Sequence, residues 1–295
     1  MRGPASILCR SLLMTCALHP HQYGRARECG ADIGTIDLED GVPPSMKEAA
    51  RQVALPILAG EAREGFSRAL RINSLRTEEG LRDLLAVIES DARPDILFLP
   101  KVESAEELVI ADQVLAGRFP SMVLLATIET AAGLAAVDEV AAAPVARLWG
   151  LIFGAADLSA DLGTTLDWEV LLHARSRIQL AAARSGLRAI DAPCFEVHDR
   201  ETLGREVEGA RRMGFAGKAA IHPWQVEAIN RGYTPDGAAV ARAREILAAS
   251  ERSGGEICVV RGEMIGPPGV RAARRLLAAA AAIAERAEIL ARREA

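Results

Sequence analysis

Short apolar runs alternate along this chain with longer stretches in which apolar positions recur at helical spacing. Runs such as Ile96-Leu97-Phe98-Leu99 are bounded by Pro, Gly or polar residues and are too short for long helices, so they read as strands buried on both faces of a parallel sheet. Strands are predicted over residues 7–15, 33–38, 67–73, 96–99, 187–190 and 218–221, with a fifth in the run M-V-L-L-A-T-I before Glu129 and a sixth in L-W-G-L-I-F before Gly154. Helices are predicted between them. One spans 22–29, and another spans 45–58, where Ser45 and Glu48 are spaced as a capping box. Thr77 caps a helix to about residue 90, Ser104 opens the next, and an Ala-rich helical segment follows Thr130. Two more run over 167–185, ended by Gly186, and from Asp199 to Gly214. Eight strand-helix units is the count that closes an α/β TIM (β/α)8 barrel, placed here over residues 1–235. Residues 236–295 form an extension: a helix from about Asp236, a strand-like pair over 257–264, and a final helix after Pro267-Pro268. That last helix, rich in Ala and Leu among charges, either packs on another surface such as a neighbouring subunit or faces solvent.

Composition narrows the class. A length of 295 residues suits one barrel, and abundant Ala with only 4% aromatics suits helices packed closely on a sheet. The formal net charge is −5 and no Lys/Arg run is interleaved with aromatics, so no nucleic-acid partner is expected. No apolar run approaches the roughly 20 residues that span a bilayer, so no membrane partner is expected either. The apolar stretch 6–18 looks like the core of a signal peptide, but Arg10 interrupts it and the pattern continues into the barrel, so it reads as the first strand. Five cysteines without a C-x-x-C pair predict reduced, mostly buried thiols and a cytoplasmic protein.

Charged residues then gather at strand ends: Asp37, Glu39, Asp40, Arg71, Lys101, Glu129, Asp157 and Asp191. The carboxyl ends of barrel strands open on one face, where such barrels do chemistry. Glu129 and Asp157 converging there would suit a hard divalent cation such as Mg²⁺, whose charge offsets their repulsion. The alternative is that Glu129 caps the following helix and Asp157 is a loop acid. Unpaired charge is costly to desolvate, so some of these groups must pair. A bridge from Lys101 to Asp37 or Glu39 is expected, which gives Asp37, Asp40 and Lys101 a scaffolding alternative. Arg71 differs, because a guanidinium can grip a substrate carboxylate through two bonds. Candidate catalytic residues are therefore Arg71, Glu39 and Asp37; Arg10 and Lys101 are candidate cofactor-binding cations, and Glu129 and Asp157 candidate metal ligands. His222, between a strand and a helix, is read as ordering its turn. His19, His21, His173 and His198 lack metal-ligand spacing.

Six strings occur in register: Asp37-Leu38-Glu39-Asp40-Gly41, Arg71-Ile72-Asn73, Leu99-Pro100-Lys101-Val102-Glu103-Ser104, Ile128-Glu129-Thr130, Phe153-Gly154-Ala155-Ala156-Asp157-Leu158, and the run from Gly214 through Lys218 to His222-Pro223. Together they resemble the citrate lyase β-subunit-like enzymes of the HpcH/HpaI aldolase superfamily, which include malyl-CoA and citramalyl-CoA lyases. The resemblance covers nearly the whole chain. It implies Mg²⁺-dependent cleavage or formation of a carbon–carbon bond in a small 3-hydroxyacyl-CoA, with Glu129 and Asp157 as metal ligands and Arg71 steadying the keto or carboxylate end of the substrate. An acyl-CoA or a hydroxy or keto acid is the implied small-molecule partner, and a homo-oligomer, trimer or hexamer, the implied assembly. Two departures stand out. Met14-Thr15-Cys16-Ala17-Leu18 replaces the family's usual Pro-Gly turn after the first strand. Gly266, in Met264-Ile265-Gly266-Pro267-Pro268, stands where family lyases carry a catalytic aspartate on a lid that reaches a neighbouring subunit's site. Glu263, three residues earlier, is a candidate substitute, although that offset along a strand turns a side chain to the other face. Divergent alternatives follow: CoA-independent aldol cleavage, thioester hydrolysis, or a non-catalytic ligand-binding subunit.

Overall fold

Eight parallel strands pair in chain order and close on themselves, β1 against β8, in a computed structural model that describes residues 7–294. Ser6, which begins the apolar N-terminal stretch, and residues 1–5 of the expected barrel lie outside the described residues. The strands are β1 Ser11–Cys16, β2 Ile33–Asp37, β3 Ser67–Arg71, β4 Ile96–Leu99, β5 Val123–Ile128, β6 Leu148–Phe153, β7 Arg188–Asp191 and β8 Gly217–Ala220. The helices between and after them are α1 Pro20–Glu28, α2 Lys47–Ala59, α3 Glu78–Glu89, α4 Ala105–Leu115, α5 Ala131–Ala135, α6 Val137–Ala141, α7 Ala155–Leu162, α8 Leu172–Arg184, α9 Arg200–Met213 and α10 Pro223–Tyr233. The expected TIM barrel is the architecture found.

Strand alternation sorts side chains into two apolar layers. Leu12, Ile33, Ala69, Ile96, Phe98, Leu125, Ile152, Ile190 and Ala219 fill the barrel interior. Their neighbours Ile36, Leu70, Leu97, Leu99, Leu124, Ile128 and Phe153 face the surrounding helices. The same period decides where charges go. Asp37, Arg71 and Glu129 each follow an outward-facing residue and so turn inward at the carboxyl end, whereas Asp191 follows inward-facing Ile190 and turns outward.

Local capping mostly follows the sequence. Thr77 accepts from the Gly80 amide at 3.1 Å, Asp199 accepts from Glu201 and Thr202, and Gly214 ends α9 in the left-handed conformation with φ +95°. The expected capping box at Ser45 and Glu48 does not form. Residues Pro44–Met46 make a 3₁₀ turn, α2 starts at Lys47, and the Glu48 carboxylate instead accepts from Arg51 and Gln52. The first strand starts at Ser11 rather than residue 7, the helix expected from 167 starts at Leu172, and the Ala-rich segment after Thr130 divides into α5 and α6. All five cysteines are free; Cys9 and Cys194 are buried and the other three half-buried.

Residues from Gly232 form a second compact unit. It holds α11 Gly237–Arg252, capped by Asp236 at 2.7 Å from the Ala239 amide, the antiparallel hairpin of β9 Cys258–Val260 and β10 Glu263–Ile265, and α12 Pro267–Glu294. Its own small core comprises Ala243, Ile246, Ala249, Val260, Ile265 and Ala273. Glu263 is ion-paired with Arg242 inside this unit. Among the described residues no helix is long and apolar enough to cross a membrane.

Candidate active site

Asp37 and Arg71 end two paired strands and are partners in register, so their side chains meet at one height inside the barrel mouth. Arg71 donates through Nε to Asp37 Oδ1 at 2.6 Å and through Nη2 to Oδ2 at 2.8 Å, a two-bond fork. Asp37 also accepts from the Glu39 and Gly41 amides at 2.9 and 3.1 Å. Burial works against the Asp37 charge, but Arg71 and these amides outweigh it and hold the carboxyl below its ordinary range. Burial likewise opposes the Arg71 charge, and Asp37, then Glu39 and Glu129, keep the guanidinium firmly protonated. The third edge of Arg71 stays less committed: Nη1 lies 2.9 Å from Glu39 Oε2, yet that buried oxygen has no aligned hydrogen bond.

Lys101 follows Pro100 just after β4, in the left-handed region with φ +52°, a conformation costly for a residue with a Cβ and concentrated at functional sites. The bend aims two groups of one residue at the site. The Lys101 amide donates to Glu129 Oε1 at 2.8 Å. Its Nζ contacts Glu39 Oε1 and stands 3.3 Å from both Asp40 Oδ1 and Asp157 Oδ1. The expected Lys101 bridge is thus made to Glu39 and not to Asp37, which Arg71 occupies.

Glu129, just past β5, is buried, while Asp157 lies in the first turn of α7, where a helix amino end favours an acid. This position corrects the loop-acid alternative. The capping alternative for Glu129 also fails, because Thr130 caps α5, accepting from Gly133 at 2.9 Å. Gly154 makes room for Glu129: a Cβ there would stand 2.3 Å from Glu129 Oε2 and 2.4 Å from its Cβ. Neither Gly154 nor the Lys101 amide was identified from the sequence, although a glycine between a buried strand and an acid-bearing helix is the kind of signal that marks close approach.

Five carboxylates (Asp37, Glu39, Asp40, Glu129, Asp157) meet two cations here, Arg71 and Lys101. Burial first, then the charge of its acidic neighbours, pushes Glu129 well above the ordinary glutamate range, and Glu39 is raised in the same way by burial and Asp40. Such a surplus of buried negative charge is what a divalent cation relieves. Among the described residues no three His, Cys, Asp or Glu side chains converge tightly enough to hold an ion unaided. Mg²⁺ commonly takes one or two carboxylates and fills its remaining positions with water and substrate. Glu129 and Asp157 are the carboxylates that could hold such an ion.

Two predicted groups are not brought to this mouth. Arg10 sits at the opposite, amino end of β1, where its guanidinium grips Asp32 at 2.8 and 2.9 Å, so it is corrected from cofactor ligand to strand-end ion pair. Asp191 faces outward and bonds Lys218 Nζ at 2.7 Å and Arg175 Nε at 2.9 Å behind the barrel wall, so it is no mouth acid. His222 does order its turn: its Nδ1 accepts from the Trp224 amide at 3.3 Å.

Residues 10–223 match the sequence profile of the HpcH/HpaI aldolase/citrate lyase family. The chain is 35% identical over 280 residues to a (3S)-malyl-CoA thioesterase of Cereibacter sphaeroides, covering 93% of this chain and 95% of that protein. It is 32% identical to an L-malyl-CoA/beta-methylmalyl-CoA lyase of Rhodobacter capsulatus, covering 86% and 89%. Among solved structures, CitE from Mycobacterium tuberculosis in complex with magnesium, acetoacetate and coenzyme A superposes with a TM-score of 0.77 at 32% identity, covering 92% of this chain and 97% of that one.

Proposed function

The chain belongs to the HpcH/HpaI aldolase/citrate lyase family, and from that premise we propose that it is a Mg²⁺-dependent carbon–carbon lyase acting on a small 3-hydroxyacyl-CoA such as malyl-CoA or citramalyl-CoA. The observation that carries this reading is the mouth cluster: an oriented guanidinium, two carboxylates fit for a divalent ion, and a buried glutamate whose affinity for a proton is raised. The magnesium in the CitE complex and the acyl-CoA names of the relatives support it. A homo-oligomer, trimer or hexamer, and a cytoplasmic location complete the proposal.

In this reading Arg71, held by Asp37, offers its Nη1 edge to the substrate's free carboxylate. Glu39 Oε2, buried and without an aligned hydrogen bond, is the atom that takes the proton of the β-hydroxyl. The O–H electron pair becomes the new carbonyl bond, the adjacent carbon–carbon bond breaks, and its pair passes to the thioester enolate. Return of that proton from Glu39 to the carbanion, directly or through water, yields the shortened acyl-CoA, and an oxo acid leaves. A Mg²⁺ ion held by Glu129 and Asp157 would supply positive charge to the oxygen that becomes the carbonyl. Lys101 fixes Glu129 through its amide while this happens.

A second reading, thioester hydrolysis, is favoured by two observations: the thioesterase among the relatives, and Gly266, which cannot transfer the proton that a lid aspartate would. The two reactions release different products. With malyl-CoA and Mg²⁺, a lyase yields acetyl-CoA and glyoxylate with no free thiol, whereas a thioesterase yields malate and one free CoA thiol per turnover. If the lyase machinery is otherwise intact, Gly266→Asp should raise carbon–carbon cleavage by about a hundredfold to ten-thousandfold, the usual contribution of a placed acid/base. No gain with Mg²⁺ binding intact would transfer the conclusion to hydrolysis. Absence of both products across malyl-, citramalyl- and hydroxymethylglutaryl-CoA would leave the non-catalytic alternative.

A further inference from the structure

We infer that Lys101 is an intramolecular competitor for the divalent ion: its ammonium lies against Asp157, and a metal held by Asp157 and Glu129 must first drive it off. The inference rests on the metal-site reading above. It is carried by the placement of one residue. Lys101 Nζ contacts Glu39, stands 3.3 Å from both Asp40 and Asp157, and belongs to the residue whose amide bonds Glu129 at 2.8 Å. Lys101 therefore touches both proposed ligands, one through its backbone and one through its side chain. A left-handed backbone is retained here although it is costly for a residue with a Cβ, and in that conformation amide and ammonium both reach the cluster.

The two cations of the mouth differ in freedom. Arg71 is clamped by Asp37 through two bonds and its side chain is 15% exposed. The Lys101 side chain is 31% exposed, is a point charge on a flexible four-carbon stem, and can swing to Glu39 and Asp40 without breaking a fork. A monovalent charge resting on Asp157 lowers the affinity of a divalent one for the same oxygen, because the incoming ion must displace it and then remain near it. Metal affinity would therefore be set below what Glu129 and Asp157 alone provide. In exchange the acids are partly neutralised whenever no metal is present.

Calorimetric titration of Mg²⁺ into wild type, Lys101→Met, Lys101→Gln and Lys101→Arg tests this directly. Removing one charge within a few Å of a divalent ion should tighten binding at least about tenfold in the Met and Gln variants, even with water-like screening, and Arg should stay within a few fold of wild type. All three keep a Cβ at the strained position, so the backbone cost cancels between them. A second readout is independent of titration: in chelator the Met variant should melt below wild type, and saturating Mg²⁺ should close the gap. Binding in Met and Gln that is unchanged or weaker than wild type, or a melting gap that persists with Mg²⁺, would overturn the inference and make Lys101 a support of the ligands. Failure of wild type and every variant to bind Mg²⁺ would remove the metal site itself, a distinct result that takes the competitor role with it.

Discussion

The barrel holds two ionic clusters, one inside its mouth and one behind its wall, and they are opposites. Behind the wall, Asp191 and Glu206 face Lys218 and Arg175, with Lys218 Nζ 2.7 Å from Asp191 and 2.9 Å from Glu206. Two acids meet two bases, Lys218 and Asp191 are fully buried, and Arg175 is further covered by Trp168, whose ring centre lies 4.1 Å from the guanidinium carbon. At the mouth five acids meet two bases, one of the bases is partly exposed, and Glu39 and Glu129 are driven toward their protonated forms. A charge-balanced and largely buried cluster has no net charge to offer a ligand. An unbalanced one is stable only in company, and that difference separates scaffold from candidate site better than the presence of charge does.

The largest effect should come from unbalancing the wall. Lys218→Met leaves buried Asp191 and partly exposed Glu206 short of a partner, and loss of one member of a buried pair typically costs about 3–5 kcal/mol. Urea unfolding should record that drop, and Lys218→Met combined with Asp191→Leu should recover part of it. A loss below about 1 kcal/mol would mean the wall is wetter and less committed than its packing implies.

These two clusters also mark how far the sequence could be read. Eight strand-helix units, the cap at Thr77, the helix starts at Asp199 and about Asp236, and the glycine stop at Gly214 were legible because each depends on local pattern. Grouping Asp191 with the mouth acids overlooked the strand's period of two, since Ile190 points inward and its neighbour cannot. Arg10 was misplaced for a related reason: it precedes β1, and only the closing carboxyl ends of the strands reach the mouth. Lys101 was recognised as a charge, but the φ of +52° that turns its amide onto Glu129 leaves no signature in residue type. Ser45 and Glu48 had the spacing of a capping box, yet Pro44 favours the 3₁₀ turn that displaces it.

At the mouth the corresponding substitution should have the opposite sign for stability. Glu129→Gln removes a surplus acid and the charge of one ligand, so Mg²⁺ affinity should fall by at least the roughly 10–100-fold that loss of a ligand-orienting group costs, while the fold without metal should hold or gain stability. The pH dependence follows. The folded-state affinity of Glu129 for its proton is raised, so its contribution to stability is fully present below the unfolded glutamate value of 4.5 and is lost as pH rises through the higher folded value. Chelated wild type should therefore lose stability with rising pH across that window, Glu129→Gln should lose less, and Mg²⁺ should flatten the wild-type curve. A destabilised Gln variant in chelator would show that Glu129 is a scaffold acid whose charge the fold requires.

The smallest effect is a matter of room. Gly154 has a negative φ of −99°, so alanine meets no left-handed penalty there, and the main effect of Gly154→Ala should come from its methyl. That methyl would lie 2.3 Å from Glu129 Oε2 and 2.4 Å from its Cβ, and because the Cβ is tied to the backbone of β5 it cannot move aside alone. Glu129 must shift, and the hydrogen bond from the Lys101 amide shifts with it. Overpacking of this kind costs about 1–3 kcal/mol, and a misplaced ligand should weaken Mg²⁺ binding by about tenfold. Gly209→Ala offers the matching change at the wall: its methyl would meet Trp168 at 2.7 Å, the ring that covers Arg175. The expected result is a stability loss without any change in Mg²⁺ affinity, offset in part by the better helix propensity of alanine within α9. Equal effects of both alanines on metal binding would mean that the two clusters are coupled through the barrel wall. An effect confined to Gly154 would mean that metal affinity is decided at the mouth, by the space left for one carboxylate.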